Sequence, residues 1–330
     1  MVEKSFLLAS ALLFGGLLSV AQAQPKRTVS VLINVLDQNG STVPDLRKEN
    51  FQVKLNGHVV ALVDASYSLG PRRIVVLLDM RSSMKGQSIN NAWPIAREAL
   101  EDVLTEAPTG AQIALLTLPS QVDKIADFSQ GRPAIEDWLK HGPSQRSDIK
   151  ACENAYRKEC TGLLDAVSEA SKLLQPSQPG DVIYLITRGG DGISDVSKTD
   201  LTKQLLRNGI RLFAVLFVKD VRFEGEPPIP TSPIREVTRE TGGAVFSIPG
   251  REGLRSWVVE FYEDDKTREG IMIHTREFVA KVSGFYTLEL ESHVSPGKLS
   301  SVSANIAEKN GSVRKNVTLT YQRVLLTPDD

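Results

Sequence analysis

Hydrophobic and polar positions fall into three successive patterns along the chain. Near the start, Val29, Val31, Ile33 and Val35 alternate with Ser30, Leu32, Asn34 and Leu36, which predicts a strand with one side more buried than the other. Asp37-Gln38-Asn39-Gly40 follows as a hairpin turn signal. Phe51, Val53 and Leu55 alternate next, Asn56-Gly57 turns the chain, and Val59 to Val63 is expected to return. From residue 72 to 250 the alternation gives way to continuous apolar runs separated by helix-spaced stripes. Ile74–Leu78, Ala111–Leu118, Val182–Ile186 and Ile210–Val218 read as buried strands, with Val122–Phe128 as an edge and Ala244–Ile248 as a short last strand. Between them lie stripes through Trp93, Ile95, Ala96, Leu100 and Val103, through Ile135, Trp138 and Leu139, through Leu163, Leu164, Val167 and Ala170, and through Leu201, Leu205 and Leu206. A further helix is expected from Pro233 to Gly242-Gly243. Residues 252–282 read as helical, and 285–325 return to β structure with Asn310-Gly311 as a turn.

Strands alternating with helices predict an α/β fold with a doubly wound, mostly parallel sheet. The β-rich ends flank this core, and joining them leaves fewer unpaired edges than two separate small sheets. The expected organisation is therefore an N-terminal β segment over 24–70, an α/β domain over 71–250, a helical connection over 251–283, and a C-terminal β segment over 284–330 that packs with the first as a β-sandwich-like unit.

The first residues change the setting. Lys4, the apolar stretch Phe6 to Val20 and the small-x-small site Ala21-Gln22-Ala23 predict an export signal over residues 1–23. An uncleaved anchor is the other reading, but the stretch is short for a membrane span and no second hydrophobic run follows. No cysteine adjoins the cleavage site, so no lipid anchor is expected. The mature chain is thus expected in the periplasm or outside the cell. Its formal charge stays at −1, because Glu3 and Lys4 cancel, and this near-neutral balance makes no electrostatic case for nucleic acid or an anionic membrane. The two cysteines, Cys152 and Cys160, read as a disulfide in an oxidising compartment. Such a bridge would restrain the long polar loop Gly142–Cys160 by ~2–3 kcal/mol. A metal pair is the alternative, without a histidine nearby.

Three loops carry the candidate chemistry. The run Arg72–Asp79 ends in a carboxylate and the polar turn Met80-Arg81-Ser82-Ser83, where ligands of open α/β sheets bind. The second loop is Thr161-Gly162-Leu163-Leu164-Asp165-Ala166, and the third is Leu185-Ile186-Thr187-Arg188-Gly189-Gly190-Asp191. Together they resemble the metal-ion-dependent adhesion site of von Willebrand factor A domains over roughly residues 72–250. Asp79 and Ser83 fit the family's Asp-x-Ser-x-Ser, and Arg81 stands in place of its first serine. Thr161 fits the threonine ligand, and Arg188 stands where the third loop carries aspartate. Glu240-Thr241-Gly242-Gly243 is similar to the family's segment before its last strand. Leu36–Gly40 with Pro44-Asp45-Leu46 and Phe51 resembles the unit that precedes the A domain in secreted bacterial proteins first noted in Acidobacteria.

The resemblance implies a von Willebrand A or Rossmann-like fold and, for the family, Mg²⁺ held by hydroxyls, waters and an aspartate, with an open position for a partner's carboxylate. A guanidinium donates hydrogen bonds only and stays charged at any relevant pH, so Arg81 and Arg188 oppose a metal. No cofactor is expected; were Mg²⁺ bound, Asp79, Ser83 and Thr161 would hold it, with Asp191 or Ser82 deputising. Arg81 or Arg188 can instead pair with Asp79 as a structural substitute, or receive a partner's acidic side chain. The expected function is non-enzymatic protein–protein contact through a binding face of Asp79, Arg81, Ser82, Ser83, Thr161, Arg188 and Asp191. A serine hydrolase is the rival from another class, resting on Ser82-Ser83-Met84-Lys85 alone, without the partner motifs of penicillin-binding enzymes. His58, His141, His274 and His293 lack metal spacing.

Overall fold

The computed structural model describes residues 27–69, 72–81, 92–118, 121–141, 161–219, 232–252, 259–261, 264–292, 294–308 and 311–328. The expected export segment, Ser82, Ser83, Cys152, Cys160 and the loop 142–160 lie outside these residues, as do Trp257 and His293.

The chain begins with β1 (Arg27–Asp37), a 3-10 turn at Lys48–Asn50, β2 (Phe51–Leu55), β3 (His58–Val59) and β4 (Leu62–Leu69). The α/β region follows: β5 (Arg73–Asp79), α1 (Trp93–Glu106), β6 (Gln112–Leu118), β7 (Asp123–Ala126), α2 (Gly131–His141), α3 (Leu163–Lys172), β8 (Val182–Thr187), α4 (Lys198–Arg207), β9 (Arg211–Lys219), α5 (Pro233–Glu240), β10 (Val245–Glu252) and β11 (Val259–Glu260). Then come α6 (Asp265–Ser283), β12 (Gly284–Ser292), β13 (Leu299–Ile306), β14 (Val317–Tyr321) and β15 (Val324–Leu326).

Among the described residues, seven strands form the central sheet in the order β11-β10-β9-β8-β5-β6-β7. The five inner strands are parallel, and β7 and β11 close the edges antiparallel. The continuous apolar run of β5 is explained by its two faces. Ile74, Val76 and Leu78 pack with residues of α1, α2 and α6, whereas Val75 and Leu77 pack with residues of α3, α4 and α5. All five are fully buried, each contributing about 1.5–3 kcal/mol of transfer free energy. The architecture is the expected doubly wound α/β fold.

The two ends of the chain meet in a sandwich of two antiparallel sheets, β14-β1-β12-β4 and β15-β13-β2-β3. Val29, Val31, Ile33 and Val35 face Phe51, Val53 and Leu55 across it, with Tyr286, Leu288, Val302 and Ile306 from the far end of the chain. Asn56 and Gly57, at φ 50° and 82°, turn β2 into β3, a backbone that glycine adopts without strain.

Four details depart from the sequence expectation. β1 is buried on both sides from Val31 to Leu36, because its second side lies against the α/β unit; Asn34, fully buried, donates to the Gly284 carbonyl at 2.6 Å. Val59 to Val63 is not one strand: the chain leaves one sheet after Val59 and enters the other at Leu62. Likewise the β stretch after Asn310-Gly311 is not one strand: it splits into β14, which pairs with β1, and β15, which pairs with β13. The helix expected from 252 starts only at Asp265, where the Asp264 side chain caps the Thr267 N–H at 2.8 Å. Upstream, Val259–Glu260 pairs with β10, and Phe261 meets Phe217 edge-on at 5.4 Å.

The junction between the two units lies at the amino ends of the parallel strands. Phe285 at the start of β12 is the central wedge, with the guanidinium of Arg72 4.5 Å and that of Arg211 5.2 Å from its ring centroid. Gly180, at φ +93°, lets the ring in: a Cβ there would stand 2.5 Å from Phe285. At the other edge of the sandwich, Gly242 allows the backbone of Gln322 to approach to 2.6 Å of where a Cβ would be.

Candidate functional site

Asp79 ends β5, and parallel pairing of Leu78 with Ile186 brings the end of β8 beside it. Its carboxylate is fully buried, and the backbone N–H and side chain of Arg81, two residues on, fold back onto it. Arg81 Nε donates to Asp79 Oδ1 at 2.9 Å and Nη2 to Oδ2 at 2.8 Å, while the Arg81 backbone N–H reaches Oδ1 at 3.1 Å. Thr187 Oγ1 completes the set by donating to Oδ2 at 2.6 Å. An ionised carboxylate has about four acceptor positions, and here four donors fill them. The bidentate pair is the strong, geometrically specified form of an arginine–carboxylate bond.

The third loop holds Arg81 from the other side. Arg81 Nη2 also donates to the Gly190 carbonyl at 2.9 Å. That loop is itself fastened: the Gly189 N–H donates to Thr187 Oγ1 at 2.9 Å, and Ser232 Oγ, just before α5, donates to the Gly189 carbonyl at 2.8 Å. Gly189 has φ +76°, and a Cβ would lie 2.9 Å from Ser232 Oγ, so only glycine fits this turn without displacement. Burial works against the charged form of Arg81, but its hydrogen bonds to Asp79 and the charges of Asp79 and Asp191 outweigh that, and it titrates above the ordinary arginine value.

Arg188 occupies a different setting. Its guanidinium stands 5.2 Å from the Phe261 ring centroid. Burial lowers its pKa, and the charge of Asp79 offsets part of that effect. Asp79 is thus a direct partner of Arg81, and the Arg188 guanidinium lies by the Phe261 ring within reach of the Asp79 charge.

Asp191 does not turn toward Asp79. Its Oδ1 accepts from the Leu163 N–H at 3.0 Å and from Ser194 Oγ at 2.8 Å. Ser194 Oγ in turn accepts from the Leu164 N–H at 3.0 Å, so the third loop caps α3. Asp165 returns the favour by accepting from the Val196 and Asp195 N–H groups at 2.9 and 3.1 Å. Gly162 is required where the two loops touch, since a Cβ would sit 2.1 Å from Ser194 Oγ. Thr161, half-buried, immediately precedes this cap. Of the residues expected at the face, the structure thus brings together Asp79, Arg81, Arg188, Asp191 and Thr161 at the carboxyl end of the sheet, while Ser82, Ser83, Cys152 and Cys160 lie outside the described residues. Sequence reasoning did not single out Thr187, Ser194 or Phe261. Thr187 was the findable one: in a parallel sheet the last residue of the neighbouring strand lies next to the aspartate.

The α/β unit has the doubly wound sheet, with three loops at one end, that the sequence resemblance implies. No family model matches the sequence, and no curated protein does. Solved structures similar in shape include a von Willebrand factor type A protein from Catenulispora acidiphila, at 12% identity, covering 94% of this chain and 76% of that one with a TM-score of 0.41. Another is the conserved hypothetical protein BatB from Bacteroides thetaiotaomicron, at 12% identity, covering 62% of this chain and 96% of that one, TM-score 0.42. A third is proximal thread matrix protein 1 from the mussel byssus, at 14% identity, covering 67% of this chain and 50% of that one, TM-score 0.43. Likeness at these identities and scores extends to no function. Among the described residues, no helix is long and apolar enough to cross a membrane.

Proposed function

We propose that the chain is an exported, non-enzymatic binding module in which Arg81 takes the place that a divalent cation holds in metal-dependent adhesion sites. One observation carries this reading: every acceptor position of the buried Asp79 carboxylate is engaged, two by the Arg81 guanidinium, one by the Arg81 N–H and one by Thr187. A hard cation needs oxygen ligands with free lone pairs, and this donor set does not fit one. Positive charge at the carboxyl end of β5 comes instead from a fixed side chain, with Arg188 beside it. The partner chemistry that suits such a face is a carboxylate on another protein, received by guanidinium N–H groups. Fastening of the second and third loops through Asp191, Ser194 and Asp165 supports recognition by a preformed surface rather than by a loop that orders on binding.

Calorimetry tests the reading. Wild type should give no binding heat with Mg²⁺ or Mn²⁺. The paired change Arg81→Ser with Arg188→Asp frees Asp79 and restores oxygen donors, and should create measurable affinity for both ions. Micromolar Mg²⁺ binding by wild type overturns the substitution. For the partner, capture from envelope extracts should depend on Arg81, being lost in a folded Arg81→Ala protein and kept in wild type.

A further inference from the structure

The sandwich has one covered side and one open side. On the covered side, the turn between β14 and β15 rests on the α/β unit: the Arg323 N–H donates to the Arg239 carbonyl at 3.3 Å, and Gln322 packs against Gly242. On the open side, β4 ends one sheet and β3 the other, joined by Val60-Ala61 alone. β4 pairs with β12 along one flank and, among the described residues, with no strand along the other. Such a flank presents a row of backbone donors and acceptors; at its far end the Ser68 carbonyl accepts from Arg72 Nη2 at 3.1 Å, and the 3-10 turn Lys48–Asn50 lies against the strand.

Proteins blunt open edges with lysine, proline or inward charges. The eight residues of β4, LVDASYSL, contain no lysine and no proline, and Asp64 is the only charge. A bulge opposite Glu289 and Leu290 bends its beginning, but the register is regular from Asp64 to Leu69. The exposed large hydrophobics gather here: Val59, Val63 and Leu69 are three of the six found among the described residues.

We propose that this edge pairs with the same edge of a second copy, antiparallel about a two-fold axis, so that each sandwich continues into its partner. A two-fold contact requires a surface complementary to itself, and β4 meets that condition. With the axis at Ala65, Asp64 faces Ser66 of the second copy; with the axis at Ser66, it faces Ser68. In neither register do like charges meet, and the near-neutral chain, at −1, adds little repulsion between copies. An eight-residue strand is about 27 Å long and two stacked sheets about 20 Å thick, which gives about 1,000 Å² buried in total, the lower limit for a specific interface. An interface at that limit makes a weak, concentration-dependent dimer.

Sedimentation velocity on the exported full chain over a concentration series tests this. Wild type should shift from monomer to dimer, and Val63→Lys with Ser66→Lys, both at exposed positions, should abolish the shift while the melting temperature and circular dichroism stay those of wild type. Hydrogen exchange should show amides of residues 62–69 gaining at least several-fold protection at high concentration. A wild type that stays monomeric throughout overturns the proposal and leaves the edge to a different chain. So does a dimer that survives the lysine pair, or one whose added protection lies away from β4.

Discussion

Arg81 and Arg211 stand at opposite ends of the same parallel sheet and show two ways of keeping a guanidinium out of water. Arg81, at the carboxyl end, has a carboxylate beneath it, a carbonyl beside it and a titration point raised above the ordinary arginine value. Arg211 opens β9 at the amino end, fully enclosed. It donates through Nη1 to the Lys281 carbonyl at 3.2 Å, and its Nε and Nη2 find no hydrogen-bond partner among the described residues. Its neighbours are the rings of Phe213 and Phe285, at 5.4 and 5.2 Å, and burial with the nearby charge of Arg72 lowers its pKa to about 9. The contrast separates a charge retained with its counter-charge, at the end where ligands meet an open α/β sheet, from a charge enclosed at a joint between packed units. Only the first has an electrostatic partner to lose.

Arg81→Ala breaks that comparison most severely. It leaves Asp79 buried without its cation, and the expected loss is about 3 kcal/mol in urea denaturation. A loss below about 1 kcal/mol would show that Thr187 and the loop backbone suffice. Ser194→Ala comes next. It removes the acceptor for the amino end of α3 and the bond to Asp191, and should cost about 1–2 kcal/mol while leaving the Asp79–Arg81 pair intact. Arg211→Met should have the smallest effect and the opposite tendency. No carboxylate is left behind, so stability should fall by less than about 1 kcal/mol, or rise. The same variant sharpens the electrostatics. With its folded-state pKa at about 9, below the unfolded one, the unfolded chain holds the extra proton from there up to the ordinary arginine range. The stability of wild type relative to Arg211→Met should therefore increase as pH rises above about 9; a flat difference would mean that the charge is compensated.

How much of this was readable beforehand follows from the kind of signal each feature leaves. The runs of β5, β8 and β9 are long, apolar and bounded, so the doubly wound sheet and the position of Asp79 could be read directly. Alternation in β1 and β2, with the return to β structure over 285–325, likewise announced a sandwich made from both ends. The arginine at Arg81 was visible as a departure from a motif, but its choice of Asp79 over solvent depends on Gly190 and Thr187, which only the register of β8 delivers. Ser194 caps a helix from 30 positions away, a relation without periodicity. Arg211 is the one charge inside the apolar run Ile210–Val218, and its enclosure comes from Phe285, from another part of the chain, which closes over it. The early start expected for α6 fails for a related reason: within 252–282, Val259–Glu260 pairs with β10 and Phe261 packs on Phe217.

The pairing of β1 with β12 has a consequence for how the molecule comes into being. Asn34 and Gly284 are neighbours in space and 250 positions apart in the chain. β1 therefore waits, apolar and without its neighbouring strands, until β12 and β14 have been synthesised. The α/β unit, whose contacts are more local, can mature in the interval. β4 and β12, paired at Leu69 and Gly284, then clasp its two ends together like the jaws of a buckle. Refolding of the intact chain should accordingly show the parallel sheet protected before β1, and a chaperone that shields Val29–Val35 should speed the yield of native protein without altering its final stability.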